Sequence, residues 1–179
     1  MPVLKSTAAT SPPNSVRISW PASVTVDSSA PPDGMTMKMP SGEPDFTGQN
    51  QLTIYGATKA ANVFYASELG KQVKDAGIVC VSYNPGNLNS DLQRHRTWLY
   101  RKLLGIFLYP SEYGAYTELW TGFAKELTTE KNGAYIAPWG RFFNIKPDRR
   151  ASLKSVEEGG NGKATAFCKW TEEQCEKYL

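Results

Sequence analysis

Tyr55 and Lys59 are the two residues of this sequence whose types and spacing best suit proton transfer. They lie four residues apart, so on a helix their side chains share one face. A free tyrosine has a pKa of about 10 and is a poor proton shuttle at neutral pH. A nearby ammonium group favours the phenolate, and such a tyrosine can act as a general acid or base. The same spacing is typical of a surface pair on any helix, so its meaning depends on the surrounding sequence.

The surrounding pattern predicts the elements that position this pair. Apolar and small residues recur at three- and four-residue spacing over residues 52–74, which predicts a helix with Asn50 or Thr53 as its N-cap. Gly77 stands where a left-handed C-terminal cap is expected. Residues 78–84 follow as a continuous apolar, β-branched run, the pattern of a strand buried on both faces, which Pro85 and Gly86 end. A helix leading directly into a buried strand is an α/β unit.

Two of these segments carry a family resemblance. Residues 55–62 (Tyr-Gly-Ala-Thr-Lys-Ala-Ala-Asn) closely resemble the active-site helix of short-chain dehydrogenases/reductases. Residues 79–88 resemble the next strand of that family and its Pro-Gly cofactor loop, at a matching separation. The sequence is most similar to retinol-dehydrogenase-like and fungal members, through the Asn-Pro-Gly-Asn-Leu run of residues 84–88 and the Leu-Gln-Arg-His run of residues 92–95. The resemblance extends over residues 2–179, with decreasing strength.

The resemblance implies three catalytic residues. Tyr55 would be the acid/base that exchanges a proton with the substrate oxygen. Lys59 would favour its phenolate form and hydrogen-bond the nicotinamide ribose. A serine at the end of the preceding strand would hold the substrate oxygen, and the family register selects Ser23 in Trp-Pro-Ala-Ser. Pro21 and Ala22 depart from the family pattern, so the alternative that Ser23 is an ordinary loop serine stays open.

The resemblance also implies a nicotinamide cofactor, NAD(P), with NADP slightly favoured. Tyr55 and Lys59 would contact it from the helix. Pro85 and Gly86 would shape the turn beside the nicotinamide, and Asn87 and Leu88 would border it through backbone groups. The position where the family often has a threonine that contacts the cofactor is occupied by Ser90. No metal site is expected.

The remaining pattern completes an α/β chain. Residues 16–20 predict a short strand that Pro21 ends, residues 110–127 a helix and residues 133–139 a third strand. Residues 27–50 predict a long exposed loop, and residues 148–179 a charged, glycine-rich tail with a short helix over 170–178. Together they predict one domain over residues 1–179. Its fold class is α/β, a partial Rossmann-like, doubly wound parallel sheet with about three of the usual seven strands and flanking helices.

Residues 87–109 are predicted to form the substrate-covering lid that the family has at this place. They combine apolar side chains with a basic cluster, so contact with a membrane surface as a basic amphipathic helix is the alternative. His95 has no second histidine for a metal site and no partner for a triad, and we expect it on the surface. The basic cluster consists of Arg94, Arg96, Arg101 and Lys102.

Composition narrows the class of protein. The 179 residues are 40% hydrophobic and 21% charged, which is ordinary for a globular domain. The net charge of +3 and the lack of an aromatic-basic motif argue against a nucleic-acid partner. Three cysteines without Cys-x-x-Cys spacing argue against a disulfide framework, and neither a signal peptide nor a membrane-spanning run is visible, so we expect a cytoplasmic protein.

Two functions remain open at this point. The first is an NAD(P)-dependent oxidoreductase that moves hydride between nicotinamide and a carbonyl or alcohol carbon of a small molecule. No Gly-x-Gly-x-x-Gly motif occurs in the sequence, however, so we expect the C-terminal portion of a family member, with little or no activity by itself. The second is a truncated, non-catalytic remnant that acts, if at all, by homodimerising through the helix of Tyr55 and Lys59. Small residues at Ala57, Ala60 and Ala61 would allow close approach of the partner helix.

Overall fold

The chain folds around a four-stranded sheet with helices on both faces. The computed structural model describes residues 1–89, 97, 105 and 108–178. In chain order its helices and strands are α1 (Pro2–Thr10), β1 (Arg17–Pro21), α2 (Thr25–Ser28), β2 (Met37–Lys38), β3 (Glu43–Pro44), α3 (Gln51–Val73), β4 (Val79–Tyr83), α4 (Glu112–Phe123), β5 (Tyr135–Ala137), β6 (Arg141–Phe143), α5 (Pro147–Ser152) and α6 (Lys163–Glu176).

The sheet has the strand order β1-β4-β5-β6, and β2 and β3 form a separate small hairpin. β1, β4 and β5 run parallel, whereas β6 pairs antiparallel with β5. The expected three parallel strands are therefore confirmed, and β6 is an addition that the sequence pattern did not predict. β6 has three residues, all exposed, so it lacks the buried alternation that identifies a strand.

The central strand β4 is buried along its whole length, as predicted. Val79, Val81 and Tyr83 pack with Leu127 and with the half-buried Trp120 of α4. Cys80 lies in a second apolar cluster with residues of α1, β1 and α3. Since successive strand residues face opposite sides, β4 joins α4 on one face of the sheet to α1 and α3 on the other. The predicted doubly wound α/β architecture is confirmed.

Helix α3 begins where the sequence predicts, directly after the N-cap Asn50. The side-chain oxygen of Asn50 accepts hydrogen bonds from the backbone N–H groups of Leu52 and Thr53, both at 3.0 Å. This N-cap satisfies two of the four donors that every helix start leaves unpaired. At the other end Gly77 has φ +72°, the left-handed conformation expected of a C-terminal cap.

Asn132 ties α3 to β4 at the point where helix becomes strand. Its Oδ1 accepts from the Cys80 N–H at 2.8 Å, and its Nδ2 donates to the carbonyls of Gly70 and Ile78 at 2.9 and 3.1 Å. One side chain thus hydrogen-bonds to three backbone groups of α3 and of the segment that enters β4. The register between the helix and the central strand is fixed in this way.

Pro21 is the last residue of β1, so the strand ends at the proline and includes it. The strand pairs with β4 in parallel register, and Pro21 stands opposite Tyr83. The next hydrogen bond of the ladder runs from the Ala22 N–H to the Tyr83 carbonyl at 2.7 Å, so the ladder does not need a donor at Pro21. β1 is the outer strand of the described sheet, where proline is tolerated.

Residues 27–50 are not the exposed loop that their composition predicts. The segment contains a 3₁₀ turn at Pro32–Gly34 and the β2–β3 hairpin. Ala30 and Met35 are buried against α3, Met35 in the cluster that contains Phe64. The segment is held against α3 by single apolar residues that do not recur at a regular spacing. Sequence analysis recognises buried segments by such a regular spacing, so it did not predict this burial.

The two ends of the chain also differ from expectation. α1 forms in a Ser-, Thr- and Ala-rich stretch whose pattern predicted no helix, and none of its residues is fully buried. α4 is shorter than the predicted 110–127, and α6 begins at Lys163, before the predicted start at residue 170. Among the residues that the structure describes, no helix combines the length and the apolar character needed to cross a membrane.

Candidate active site

Tyr55 and Lys59 lie half-buried on one face of α3. The Lys59 Nζ stands 5.7 Å from the centre of the Tyr55 ring. The same Nζ donates a hydrogen bond to the carbonyl of Pro21 at 3.2 Å, and Asn62, one turn further, donates to that carbonyl at 2.8 Å. The polar face of α3 is therefore fastened to the end of β1.

Ser23 lies two residues beyond this contact and is half-buried. Its Oγ accepts from the Thr25 N–H at 3.3 Å, and its carbonyl accepts from the Tyr135 hydroxyl at 2.8 Å. Burial raises the pKa of Tyr135, and the nearby Asp27 adds to the shift, so this hydroxyl remains a donor at neutral pH. The backbone of Ser23 is thus held from β5 while its own hydroxyl stays at the start of α2.

The turn after β4 is built by Asn84 and Gly86. The Asn84 Oδ1 accepts from the Gly86 N–H at 3.0 Å, an Asx turn that closes the loop on itself. Gly86 has φ +105°, a conformation that a side chain would strain. The sequence Asn-Pro-Gly therefore produces a tight turn at the carboxyl end of the central strand.

The two ends of the predicted lid are joined beside this turn. Leu88 and Tyr109 form an isolated parallel β-bridge. The Asn89 N–H donates to the Tyr109 carbonyl and the Tyr109 N–H to the Asn87 carbonyl, both at 2.8 Å. Residues 87–89 and Tyr109 are therefore held next to each other. Ser90, His95 and the four basic residues lie outside the described part of the chain.

Two adjoining clefts open at the carboxyl ends of β4 and β5. The first, the turn cleft, has a volume of about 290 Å³ and is lined by the turn residues Pro85, Gly86, Asn87 and Leu88 together with Tyr109, Tyr113 and Trp139. The second, the hairpin cleft, has a volume of about 310 Å³ and lies against the β5–β6 hairpin, with Tyr135, Arg141, Phe142 and Phe143 in its wall. Val24, Asn84 and Pro138 border both clefts.

The structure brings only part of the predicted site together. Four of the five predicted turn residues, numbers 85–88, line the turn cleft. Ser23, Tyr55 and Lys59 are not among the described residues that line either cleft, although Val24, next to Ser23, borders both. Lys59 is thus linked to the end of β1 through the Pro21 carbonyl, whereas the turn residues line the turn cleft.

Arg149 holds the segment that follows Ser23. Its buried guanidinium donates to the carbonyls of Val26 and Ala30 at 2.7 and 2.8 Å and contacts the Asp148 carboxylate at 2.7 Å. Burial alone would raise the pKa of Asp148, but the Asp33 N–H and Arg149 together hold it below its usual value. The chain after β1 is thus fixed by a charged residue more than a hundred positions away.

The small residues of α3 are used inside the chain. Ala57, Ala60 and Ala61 are buried, with exposed fractions of 0, 1 and 7%. A Cβ on Gly56 would stand 2.5 Å from the Ala30 nitrogen, so the helix and the segment after α2 are already in close contact. The expectation that these alanines face a partner helix is wrong at these residues, and a dimer through α3 stays a prediction without that support.

Sequence analysis missed three aromatic side chains of the turn cleft, Asn84 at both clefts, and Asn62 beside the end of β1. Tyr109, Tyr113 and Trp139 contact one another around the turn cleft, with ring centres 5.9 and 5.3 Å apart. They come from two distant segments, and no local pattern joins them. Asn84 and Asn62 both lie inside the runs that carry the family resemblance, so that resemblance could have identified them.

The α/β sheet, the Pro-Gly turn at the end of its central strand and the Tyr-x-x-x-Lys helix define a Rossmann-like protein with a candidate redox site. No protein-family model matches the chain. A short-chain dehydrogenase/reductase of Phomopsis amygdali is 38% identical over 184 residues, covering 100% of this chain and 54% of that protein. A short-chain dehydrogenase/reductase of Pestalotiopsis fici is 38% identical over 180 residues, covering 100% and 53%.

A solved structure shares the fold of this chain. An NADPH-bound carbonyl reductase from chicken fatty liver superposes with a TM-score of 0.51 at 16% identity, covering 79% of this chain and 46% of that chain. The chain belongs to the short-chain dehydrogenase/reductase family, and fungal proteins are among its relatives. It spans about half the length of the curated relatives it matches.

Proposed function

We propose that this chain carries the acid/base helix and the nicotinamide-side turn of an oxidoreductase of short-chain dehydrogenase/reductase type, acting on a small carbonyl or alcohol substrate. The observation that carries the proposal is the joint placement of Tyr55 and Lys59. The ammonium lies 5.7 Å from the phenol ring and is hydrogen-bonded to the carbonyl of Pro21, two residues before Ser23. The ammonium is thus held near the phenol and near the chain segment that leads to Ser23, which supports the proposal.

Each of these residues has a defined task in the proposed reaction. In the reducing direction the Tyr55 hydroxyl gives its proton to the substrate oxygen, and solvent then reprotonates the phenolate. Lys59 stabilises the phenolate by its positive charge, and Ser23 donates a hydrogen bond to the same substrate oxygen. When bound, the nicotinamide supplies the hydride that the carbonyl carbon receives, so the product is an alcohol. The oxidation of an alcohol runs through the same groups in reverse.

The turn cleft suits the nicotinamide end of the cofactor. Its volume of about 290 Å³ lies at the lower limit for ligand pockets, which run from roughly 300 to 1,000 Å³. It can hold one ring with its ribose, not a whole dinucleotide. The φ of +105° at Gly86 lets the backbone of the turn form the cleft floor without a side chain. We propose NAD(P) as the cofactor, with NADP(H) slightly favoured, as in the NADPH-bound chicken reductase.

Reduced nicotinamide mononucleotide, which is the nicotinamide end of the cofactor, tests whether the turn cleft binds that end. We expect millimolar binding to the 179-residue chain, measured by ligand-observed NMR. Gly86→Ala should weaken it, because a side chain at positive φ distorts the turn. Gly159→Ala is the matched control, since Gly159 also has positive φ (+76°) but lies in open space. Absence of binding, or equal effects of the two variants, would refute the assignment.

Turnover tests the acid/base assignment. With NADPH and a carbonyl substrate, Tyr55→Phe should lower the rate by about 10²–10⁴-fold, the usual contribution of a general acid. Tyr178→Phe is the control, because this tyrosine is 80% exposed near the chain terminus. Full turnover by Tyr55→Phe would contradict the role given to the phenol.

A further inference from the structure

The side-chain amide of Asn84 has a hydrogen-bond donor, Nδ2, from which no residue in the described part of the chain accepts, and it borders both clefts. Its side chain is only 8% exposed, and it borders both the turn cleft and the hairpin cleft. Its Oδ1 accepts from the Gly86 N–H at 3.0 Å, which fixes the amide orientation and leaves Nδ2 on the other side. No described residue accepts a hydrogen bond from this Nδ2. Because Asn84 borders both clefts, a ligand oxygen that enters either cleft can accept a hydrogen bond from this amide.

The hairpin cleft beside Asn84 has aromatic walls held in place from behind. Phe143 packs edge-on against Tyr135, with ring centres 5.9 Å apart, and Phe142 packs edge-on against Trp120 at the same distance. Both phenylalanines nevertheless stay 47–48% exposed towards solvent. Aromatic surface that is fixed but uncovered favours a flat apolar ligand, which can stack or pack edge-on against it.

The charges in the hairpin cleft favour a neutral ligand. Among the described residues, the wall contains one cation, Arg141, and one anion, Asp27. The Arg141 Nε already donates to the Pro138 carbonyl at 3.2 Å, and Asp27 already accepts from the Lys146 N–H at 3.1 Å. Because the two charges are opposite in sign, they give no net preference for an acid or an amine.

We propose that the hairpin cleft is a substrate subsite for a flat, neutral aromatic ring system bearing a carbonyl or hydroxyl oxygen, which accepts a hydrogen bond from the Asn84 Nδ2. This inference rests on the proposed function, in which the adjoining turn cleft takes the nicotinamide. The oxygen held by Asn84 is a second one, distinct from the oxygen that exchanges a proton with Tyr55. Asn84 then selects substrates by where they carry this second oxygen.

Two probe molecules of the same shape test the proposed hydrogen bond from the Asn84 Nδ2 to the ligand oxygen. 1-Indanone is a flat bicyclic ketone, and indane is the same bicycle without the oxygen. Ligand-observed NMR titration of the 179-residue chain, without cofactor, should find 1-indanone bound more tightly. Asn84→Asp keeps an acceptor for the Gly86 N–H but removes the amide donor. It should weaken 1-indanone by about tenfold, the worth of one hydrogen bond, and leave indane unchanged.

Two variants, each replacing an aromatic residue by leucine, test whether the probes bind in the hairpin cleft. Phe143→Leu, which alters only the hairpin cleft, should weaken both probes by a similar factor. Tyr113→Leu, which alters only the turn cleft, is the matched control and should weaken neither. Equal binding of ketone and hydrocarbon, no effect of Asn84→Asp, or sensitivity to Tyr113→Leu in place of Phe143→Leu would each overturn the subsite.

The cofactor probe separates this proposal from the proposed function. Reduced nicotinamide mononucleotide and 1-indanone should bind together, because they occupy different clefts. Competition between them would overturn the subsite. Binding of 1-indanone with the predicted Asn84 dependence, but no binding of the mononucleotide, would refute the cofactor assignment and leave the subsite standing.

Discussion

Replacing Arg149 by methionine tests whether a distant charged residue holds the chain beside Ser23. The methionine keeps an apolar stem of similar length but removes the guanidinium. Two backbone carbonyls, those of Val26 and Ala30, lose short hydrogen bonds of 2.7 and 2.8 Å, and Asp148 loses its closest cation. Arg149 is 6% exposed, so water does not replace these contacts easily.

The expected loss of stability is about 3 kcal/mol. Each unpaired buried carbonyl costs about 1 to 1.5 kcal/mol. The Asp148 pair adds only about 0.5 kcal/mol, because its side chain is 35% exposed and solvent screens the charge. For a chain of this size a loss of about 3 kcal/mol lowers the melting temperature by roughly 6–12 °C.

Urea unfolding followed by circular dichroism measures this loss directly. Arg150→Met is the matched control, since Arg150 is the next residue in the chain and its side chain is exposed. We expect the control to change stability by less than about 0.5 kcal/mol. Hydrogen exchange of residues 24–31 should also accelerate in the Arg149 variant and not in the control. A loss below about 1 kcal/mol, or equal losses in both variants, would refute the reasoning.

Two further predictions concern packing and pH. Gly56→Ala should destabilise the chain by about 1–3 kcal/mol, because its Cβ would stand 2.5 Å from the Ala30 nitrogen, whereas Gly122→Ala, in a helix with open space around it, should stabilise by about 0.5–1 kcal/mol. Thermal melting of both variants checks the signs, and equal shifts would contradict the packing argument. Burial, with a smaller effect of nearby glutamates, raises the pKa of Tyr83 to about 12 and of Cys168 to about 12. The folded state therefore holds these protons more tightly, and stability should fall as pH rises above about 9, where the unfolded thiol ionises first. A free energy of unfolding that stays flat from pH 8 to 11 would refute this, as measured by urea titration at each pH.

Sequence reasoning works here where one local signal fixes one local element. The cap at Asn50, the helix period after it and the unbroken apolar run of β4 each need no distant partner to be recognised. The Asn-Pro-Gly turn is equally local, because proline, glycine and an Asx side chain all restrict the same few bonds. These elements contain Tyr55, Lys59 and the turn at residues 85–88, so most of the candidate site could be named before the fold was known.

The sequence by itself thus determined the helix and the strand that carry the predicted site residues, and the family resemblance. Only the tertiary structure decided what stands beside them. It assigned the alanines of α3 to the chain's own core, buried residues 27–50 against that helix, and brought Arg149 to the segment after Ser23. It also formed the clefts, whose walls combine Asn84 with aromatic residues from the β5–β6 hairpin. The physical reason is that a periodic pattern reports contacts within one element, whereas burial, shared hydrogen bonds and cavities depend on residues that meet only after the chain has folded.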